Sequence, residues 1–139
     1  MSAPPPLYAS LSVALGGGIG ALLRYQLGRM MTRWLGPAMV SIFPWATLAA
    51  NAIGSLAMGL LAGWLLRQGS DGAVGGEQMR LLLGVGLLGG FTTFSAFSLE
   101  MLMLIQRGQL QLALLYLLLS IGLGITGLAF GLNIMRLVG

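Results

Sequence analysis

Residues 89–98 read Gly-Gly-Phe-Thr-Thr-Phe-Ser-Ala-Phe-Ser and lie in an uncharged, leucine-rich run from residue 81 to residue 99 that is long enough to cross a bilayer. Its adjacent glycines have low helix propensity, and its hydroxyl groups compete for backbone hydrogen bonds, so we predict that the helix unwinds here. Unwound backbone at membrane depth is tolerated only where protein or a water-filled cavity satisfies it. We therefore expect the functional site at this break, where freed backbone carbonyls could bind a cation and the edges of phenylalanine rings could contact an anion.

The composition is that of an integral membrane protein. Of the 139 residues, 57% are hydrophobic and 7% are charged, whereas about 25% are charged in typical soluble domains. Four uncharged intervals can each supply a helix of about 20 residues. We predict an all-α membrane protein with one domain, residues 1–139, and spans at 8–31, 45–66, 79–105 and 110–136.

The connections follow from turn-forming residues. Gly36-Pro37 and Pro44 predict a loop between the first two spans, and a polar turn is expected at residues 67–77. The short link at residues 106–109 makes the fourth span run back beside the third.

The residue types argue against an enzyme. The chain has no cysteine and no histidine, and it has only three carboxylates, so thiolate chemistry, common transition-metal ligands and acid-base catalysis lack their usual groups. The net charge is +4, but all seven basic residues are arginines scattered singly at span ends. This pattern indicates headgroup anchoring in a lipid bilayer, and no nucleic-acid partner is expected.

The arginines are also balanced across the membrane. With four spans, one side carries Arg67, Arg80 and Arg136, and the other carries Arg29, Arg33 and Arg107. The orientation of a membrane protein follows an excess of basic residues in its cytoplasmic loops, so the equal numbers here favour neither orientation. We predict insertion in both orientations, which makes an antiparallel, dual-topology homodimer the natural closed assembly.

Small and polar residues recur every four positions along the helices, which favours close helix packing. The first helix carries Ser12, Gly16, Gly20, Arg24 and Gly28, the second carries Thr47, Asn51, Ser55, Gly59 and Gly63, and the fourth carries Tyr116, Ser120 and Gly124.

Several polar members of these stripes have two readings. Asn51 is either an interhelical hydrogen-bonding residue or a donor facing a pore, and Tyr116 and Ser120 leave the same choice. Arg24 either reaches toward headgroups or draws anions into a vestibule. Glu100 continues a line from Phe94 and Phe97, so its carboxylate lies either near an interface or along a water-filled path, and we favour the path.

Together these motifs resemble those of the small bacterial fluoride channels, the Fluc or CrcB family. The resemblance spans almost the whole chain and is most specific in the third helix. It rests on Gly16-Gly-Gly-Ile-Gly-Ala21 with Arg24-Tyr25, on Thr47-Leu-Ala-Ala-Asn51 with Gly54, and on residues 89–98 followed by Glu100. Ala96 departs from the family pattern, which usually has a hydroxyl residue there.

The resemblance implies an antiparallel homodimer with two fluoride pathways, in the bacterial inner membrane, exporting cytoplasmic fluoride by passive electrodiffusion. It also implies a structural sodium ion held at the dimer centre by the backbone carbonyls of Gly89 and Thr92 from each subunit. The residues assigned to the anion pathway are Arg24, Asn51, Phe94, Ser95, Phe97, Glu100, Tyr116 and Ser120.

Two other classes of protein fit four short spans. A small dual-topology drug-proton antiporter has the same size and charge balance, but it needs an acidic residue in the first helix, where this chain has Arg24. A membrane subunit without transport activity would explain the small-residue stripes but not the interrupted third span.

Overall fold

The computed structural model describes residues 5–68 and 73–138, so the turn predicted at residues 67–77 lies partly outside the described residues. This part of the chain is helical throughout, apart from short connections. The elements are α1 (Pro6–Ile42), α2 (Trp45–Arg67), α3 (Ala73–Met79), a π-helical segment (Arg80–Leu88), α4 (Gly89–Phe91), α5 (Phe94–Gln106) and α6 (Leu110–Leu137).

Four stretches of the described chain are long and apolar enough to cross a membrane. They are Pro6–Ile42, Trp45–Arg67, Gly75–Gln106 and Leu110–Leu137. The protein is therefore an all-helical, multi-pass membrane protein. The third stretch combines α3, the π-helical segment, α4 and α5, and it contains the interruption.

The loop expected around Gly36-Pro37 is instead a kink inside α1. Gly36 has a φ of 83°, which glycine adopts without a Cβ clash, and Pro37 lies within the continuing helix. Proline is tolerated in a first helical turn because the missing N–H has no partner there, so the chain resumes a helix after the kink. The connection to α2 comes later, at the extended Phe43 and Pro44.

The break in the third span is narrower than predicted. Gly89 and Gly90 remain helical in α4, and only Thr92 and Thr93 are extended, with ψ of 158° and 122°. Close packing explains Gly90, because a Cβ there would lie 2.9 Å from the Cα of Gly17. The hydroxyls interrupt the helix as expected: Thr92 Oγ1 donates to the Leu88 carbonyl (2.8 Å), and Thr93 Oγ1 accepts from the Ala96 N–H (3.2 Å).

The small-residue stripes mediate close helix contacts, as predicted. Added Cβ atoms at Gly16 and Gly20 would overlap backbone atoms of the π-helical segment, and one at Gly59 would overlap the Leu128 carbonyl of α6. Thus α1 packs on the third span and α2 packs on α6. The buried core lies beside α5 and contains Phe43, Leu48, Leu104, Ala113 and Tyr116.

Candidate functional site

Asn51 connects α2 to the broken part of the third span. Its Nδ2 donates to the Thr93 carbonyl (3.1 Å), and its Oδ1 accepts from the Thr93 N–H (2.8 Å). The side-chain amide therefore bonds to both the N–H and the carbonyl of Thr93, in the way that a neighbouring β-strand would. One Nδ2 hydrogen is left over, so the structural and ion-facing roles of Asn51 are compatible.

The same interaction changes the backbone around the predicted cation ligands. The Thr93 N–H would bond to the Gly89 carbonyl in an uninterrupted helix, but it donates to Asn51 instead. Likewise, the Ala96 N–H donates to the Thr93 hydroxyl rather than to the Thr92 carbonyl. The two carbonyls named from the sequence are thus among the carbonyls of residues 89–92 that lose their helical donors at the break. Between them, the Gly90 carbonyl accepts from Arg24 Nε (3.3 Å).

Three aromatic side chains form a line from the surface into the core. Phe94 follows the break and is 79% exposed, whereas Tyr116 on α6 is 0% exposed. The ring centroids of Phe94 and Phe97 are 5.9 Å apart, and those of Phe97 and Tyr116 are 5.1 Å apart. These separations lie within the range of favourable aromatic pairs.

The line ends at a carboxylate held by two hydroxyls. Tyr116 Oη donates to Glu100 Oε2 (2.7 Å), and Thr47 Oγ1 donates to Glu100 Oε1 (2.7 Å). Both carboxylate oxygens therefore have partners from other helices, which lowers the cost of placing this charge at membrane depth. Thr47 was not predicted as a site residue, although it lies one turn before Asn51 on the same stripe.

Two cavities lie at opposite ends of this line. One has a volume of about 360 Å³ and is lined by Asn51, Thr93, Phe94, Phe97 and Ser120, among others. The hydroxyl oxygen of Ser120 is buried there and has no hydrogen-bond partner among the described residues. The second has a volume of about 220 Å³ and is lined in part by Thr47, Glu100 and Arg107.

The other predicted residues lie nearby but apart from the aromatic line. Arg24 lines a third cavity of about 410 Å³ between α1 and α2, together with Arg29, Thr47 and Ala96. Ser95 is exposed, and its hydroxyl lies 3.3 Å from that of Thr93. The structure thus places Asn51, Phe94, Phe97 and Ser120 around one cavity and joins Tyr116 and Glu100 to them through contacts. Arg24 lies at the neighbouring third cavity, which shares Thr93 with the first.

The groups around these cavities are better suited to contacting a small anion than to catalysing a reaction. It offers phenyl edges, which are weakly positive, and neutral hydroxyl and amide donors, which can replace water around an ion. Within the described residues, no group of three His, Cys, Asp or Glu side chains could hold a metal ion.

Comparison with known proteins gives matches over nearly the whole chain. A family model described as CrcB-like protein, Camphor Resistance (CrcB), matches residues 11–132. A protein of Erythrobacter litoralis named fluoride-specific ion channel FluC is 61% identical over 137 residues, which are 99% of this chain and 98% of the relative. Proteins with the same name from Novosphingobium aromaticivorans and Phenylobacterium zucineum are 58% and 48% identical, over 92% and 95% of this chain and 96% and 98% of those relatives.

Proposed function

The chain belongs to the CrcB-like family, and from this premise we propose that it is a fluoride-selective channel that exports cytoplasmic fluoride by passive electrodiffusion. The family match confirms the resemblance identified from the motifs. Its named relatives are ion channels, so the chain is not an enzyme, as expected.

The observation that carries the proposal is the continuous line of groups between the two cavities. It runs from Phe94 through Phe97 to Tyr116 and then to the Glu100 carboxylate and the Thr47 hydroxyl. Fluoride is strongly hydrated, so a selective path must replace its water with closely spaced donors and positive edges. Aromatic edges bind an anion weakly, which favours exit as well as entry. A negative cell interior would drive the anion outward without energy coupling.

We propose that two antiparallel copies form the functional unit. In one chain, Phe94, Ser95 and Ser98 are exposed next to a break in the middle of a span. Extended backbone and hydroxyl groups at this depth need protein or water as partners. A second copy would cover this surface, and the balanced arginines would allow it to insert in the opposite orientation.

We also propose a structural sodium ion at the meeting point of the two breaks. The carbonyls of Gly89 and Thr92 fit this role because their helical donors are engaged elsewhere, and Gly89 is exposed. Two copies would supply four neutral oxygens, which are ligands of the kind preferred by hard cations. The bound ion would add positive charge near the anion paths.

The test is a flux measurement in proteoliposomes. The purified protein is reconstituted into vesicles loaded with potassium fluoride or potassium chloride, and anion release is recorded after valinomycin is added. We expect rapid fluoride release with little chloride release. Equal release of both anions, or no release above that of protein-free vesicles, would contradict the proposal. Drug-dependent proton flux without fluoride release would instead favour the antiporter.

The assembly needs a separate test. Reporter fusions at the carboxyl terminus should be found on both sides of the membrane if the chain inserts both ways. A reporter detected on one side only would contradict the antiparallel dimer while leaving the flux result unaffected.

A further inference from the structure

The cavity lined by Thr47, Glu100 and Arg107 opens between two interhelical turns. One turn, at Phe43 and Pro44, joins α1 to α2, and the other, at residues 107–109, joins α5 to α6. Residues that line the cavity come from both turns, with Ser41 and Pro44 beside the first and Met103 and Arg107 beside the second. Because connections between membrane helices lie outside the hydrocarbon, this opening faces the membrane-water interface.

Arg107 is held across this opening. It follows the last residue of α5, and its Nη1 donates to the Ser41 carbonyl of α1 (3.1 Å). The side chain is exposed, so its charge is accessible from water. This contact ties the guanidinium to the opposite wall of the cavity instead of leaving it to extend freely toward lipid headgroups.

The inner end of the cavity carries the opposite charge. Glu100 lies there with Thr47, and Tyr116 on its other oxygen leads to Phe97 and the second cavity. An anion that enters or leaves by this end must approach a carboxylate, which repels it. A fixed positive charge at the same cavity would offset that repulsion and raise the local anion concentration.

The adjoining cavity strengthens the positive field at this end. It shares Val40, Ala46 and Thr47 with the first cavity and is lined by Arg24 and Arg29. Two further arginines therefore line the cavity next to the one that contains Glu100. Arg107 is the one that shares a cavity wall with Glu100 itself.

We propose that Arg107 is an anion-docking residue at this mouth of the conduction path, where it gathers small monovalent anions and offsets the charge of Glu100. The proposal rests on the proposed function, since it assigns the mouth of the same path. It predicts that the charge at position 107 controls the fluoride rate, while the shape of the side chain matters less.

The chain contains no cysteine, so Arg107→Cys introduces a single thiol that can be given either charge. The variant is labelled in detergent with a trimethylammonium-ethyl or a sulfonato-ethyl methanethiosulfonate reagent and is then reconstituted for fluoride efflux. We expect the cationic adduct to conduct within about twofold of wild type and the anionic adduct to conduct roughly tenfold more slowly. Arg33→Cys is the matched control, because Arg33 is exposed and lies outside the described linings of these cavities.

The dependence on ionic strength supplies a second measurement. The difference between adducts should be large at about 0.01 M salt, where the Debye length is about 30 Å, and should nearly vanish at about 1 M, where it is about 3 Å. The added salt must carry an impermeant organic anion. If Arg107→Cys folds poorly, Arg107→Lys and Arg107→Gln provide the same comparison, with only the lysine variant retaining the wild-type rate.

Two results would overturn the proposal: equal rates for the two adducts at position 107, or an equally large difference between adducts at position 33. The second result would indicate a general surface-charge effect. Wild-type protein without fluoride efflux would contradict the proposed function itself, so the two failures can be told apart.

Discussion

Replacing Asn51 tests whether this side chain holds the break in its observed geometry. Asn51→Ala removes both hydrogen bonds to Thr93, at 2.8 Å and 3.1 Å. Hydrogen bonds between membrane helices contribute about 0.6 kcal/mol on average and at most about 1.7 kcal/mol, so the pair should contribute about 1 to 3 kcal/mol. The 360 Å³ cavity beside Asn51 can admit water to the freed groups, which favours the lower half of that range.

The isosteric change separates geometry from charge. Asn51→Asp keeps an acceptor for the Thr93 N–H but faces the Thr93 carbonyl with a second oxygen. It also places a negative charge beside the proposed anion path. We expect Asn51→Ala to lower both the thermal unfolding temperature in detergent and the fluoride efflux rate. Asn51→Asp should lower the efflux rate further.

Thr126→Ala is the control for loss of a polar side chain, because the Thr126 hydroxyl donates within its own helix, to the Gly122 carbonyl (2.6 Å). Unfolding is followed by tryptophan fluorescence, and efflux is measured with a fluoride electrode in valinomycin-treated proteoliposomes. If Asn51→Ala unfolds and conducts like Thr126→Ala, the two hydrogen bonds to Thr93 do not hold the break.

Three further substitutions test other parts of the site and fold. Phe94→Ile removes an aromatic side chain that is 79% exposed in one chain. The fluoride efflux rate should fall about tenfold, which corresponds to roughly 1.4 kcal/mol of activation free energy, with little change in unfolding temperature. Unchanged efflux would mean that Phe94 does not line the path. Glu100→Ala leaves two buried hydroxyls without their acceptor and should lower the free energy of unfolding by about 1 to 3 kcal/mol. Glu100→Gln can still bond to both hydroxyls and should unfold near the wild-type temperature. Equal unfolding temperatures for the two variants would contradict this expectation. Gly90→Ala forces a Cβ against the backbone of α1, whereas the added Cβ in Gly122→Ala meets no atom within 4 Å. Only Gly90→Ala should therefore reduce the yield of folded protein. Similar yields for the two variants would show that the close approach of α4 to α1 is not required for folding.

The spans could be predicted because hydrocarbon leaves few options for a polar side chain. Long uncharged runs indicated where helices cross, and the hydroxyls of Thr92 and Thr93 indicated where the third helix breaks. The extent of the break could not be predicted in the same way. Glycine has low helix propensity in isolation, but at Gly90 it allows backbone contact with α1, and this contact keeps the residue helical.

Two local features had no clear signal in the sequence. In the π-helical segment Arg80–Leu88, Gly86 packs against the backbone of α1 and Gly84 faces Leu61 of α2, and these are tertiary contacts that a sequence pattern does not show. The kink at Gly36 was mistaken for a loop because Gly-Pro commonly marks chain reversal. A proline that can take the first position of a new helical turn continues the helix equally well, and the sequence does not distinguish the two outcomes.

The candidate site residues likewise fall into two groups, those that could be predicted from the sequence and those that could not. Asn51, Phe94 and Glu100 were identifiable individually because a polar or aromatic group beside a helix break in a membrane needs a reason to be there. Thr47 and Arg107 were not singled out from the sequence because their partners, Glu100 and the Ser41 carbonyl, lie 53 and 66 residues away in the chain. Threonine can satisfy its hydroxyl on its own helix, and arginine at a span end can simply reach the headgroups, so neither residue is informative until the helices are assembled. Burial in hydrocarbon thus shows which side chains require partners, while only the packing of the helices shows which partners they have, and the proposed conduction path depends on those pairs.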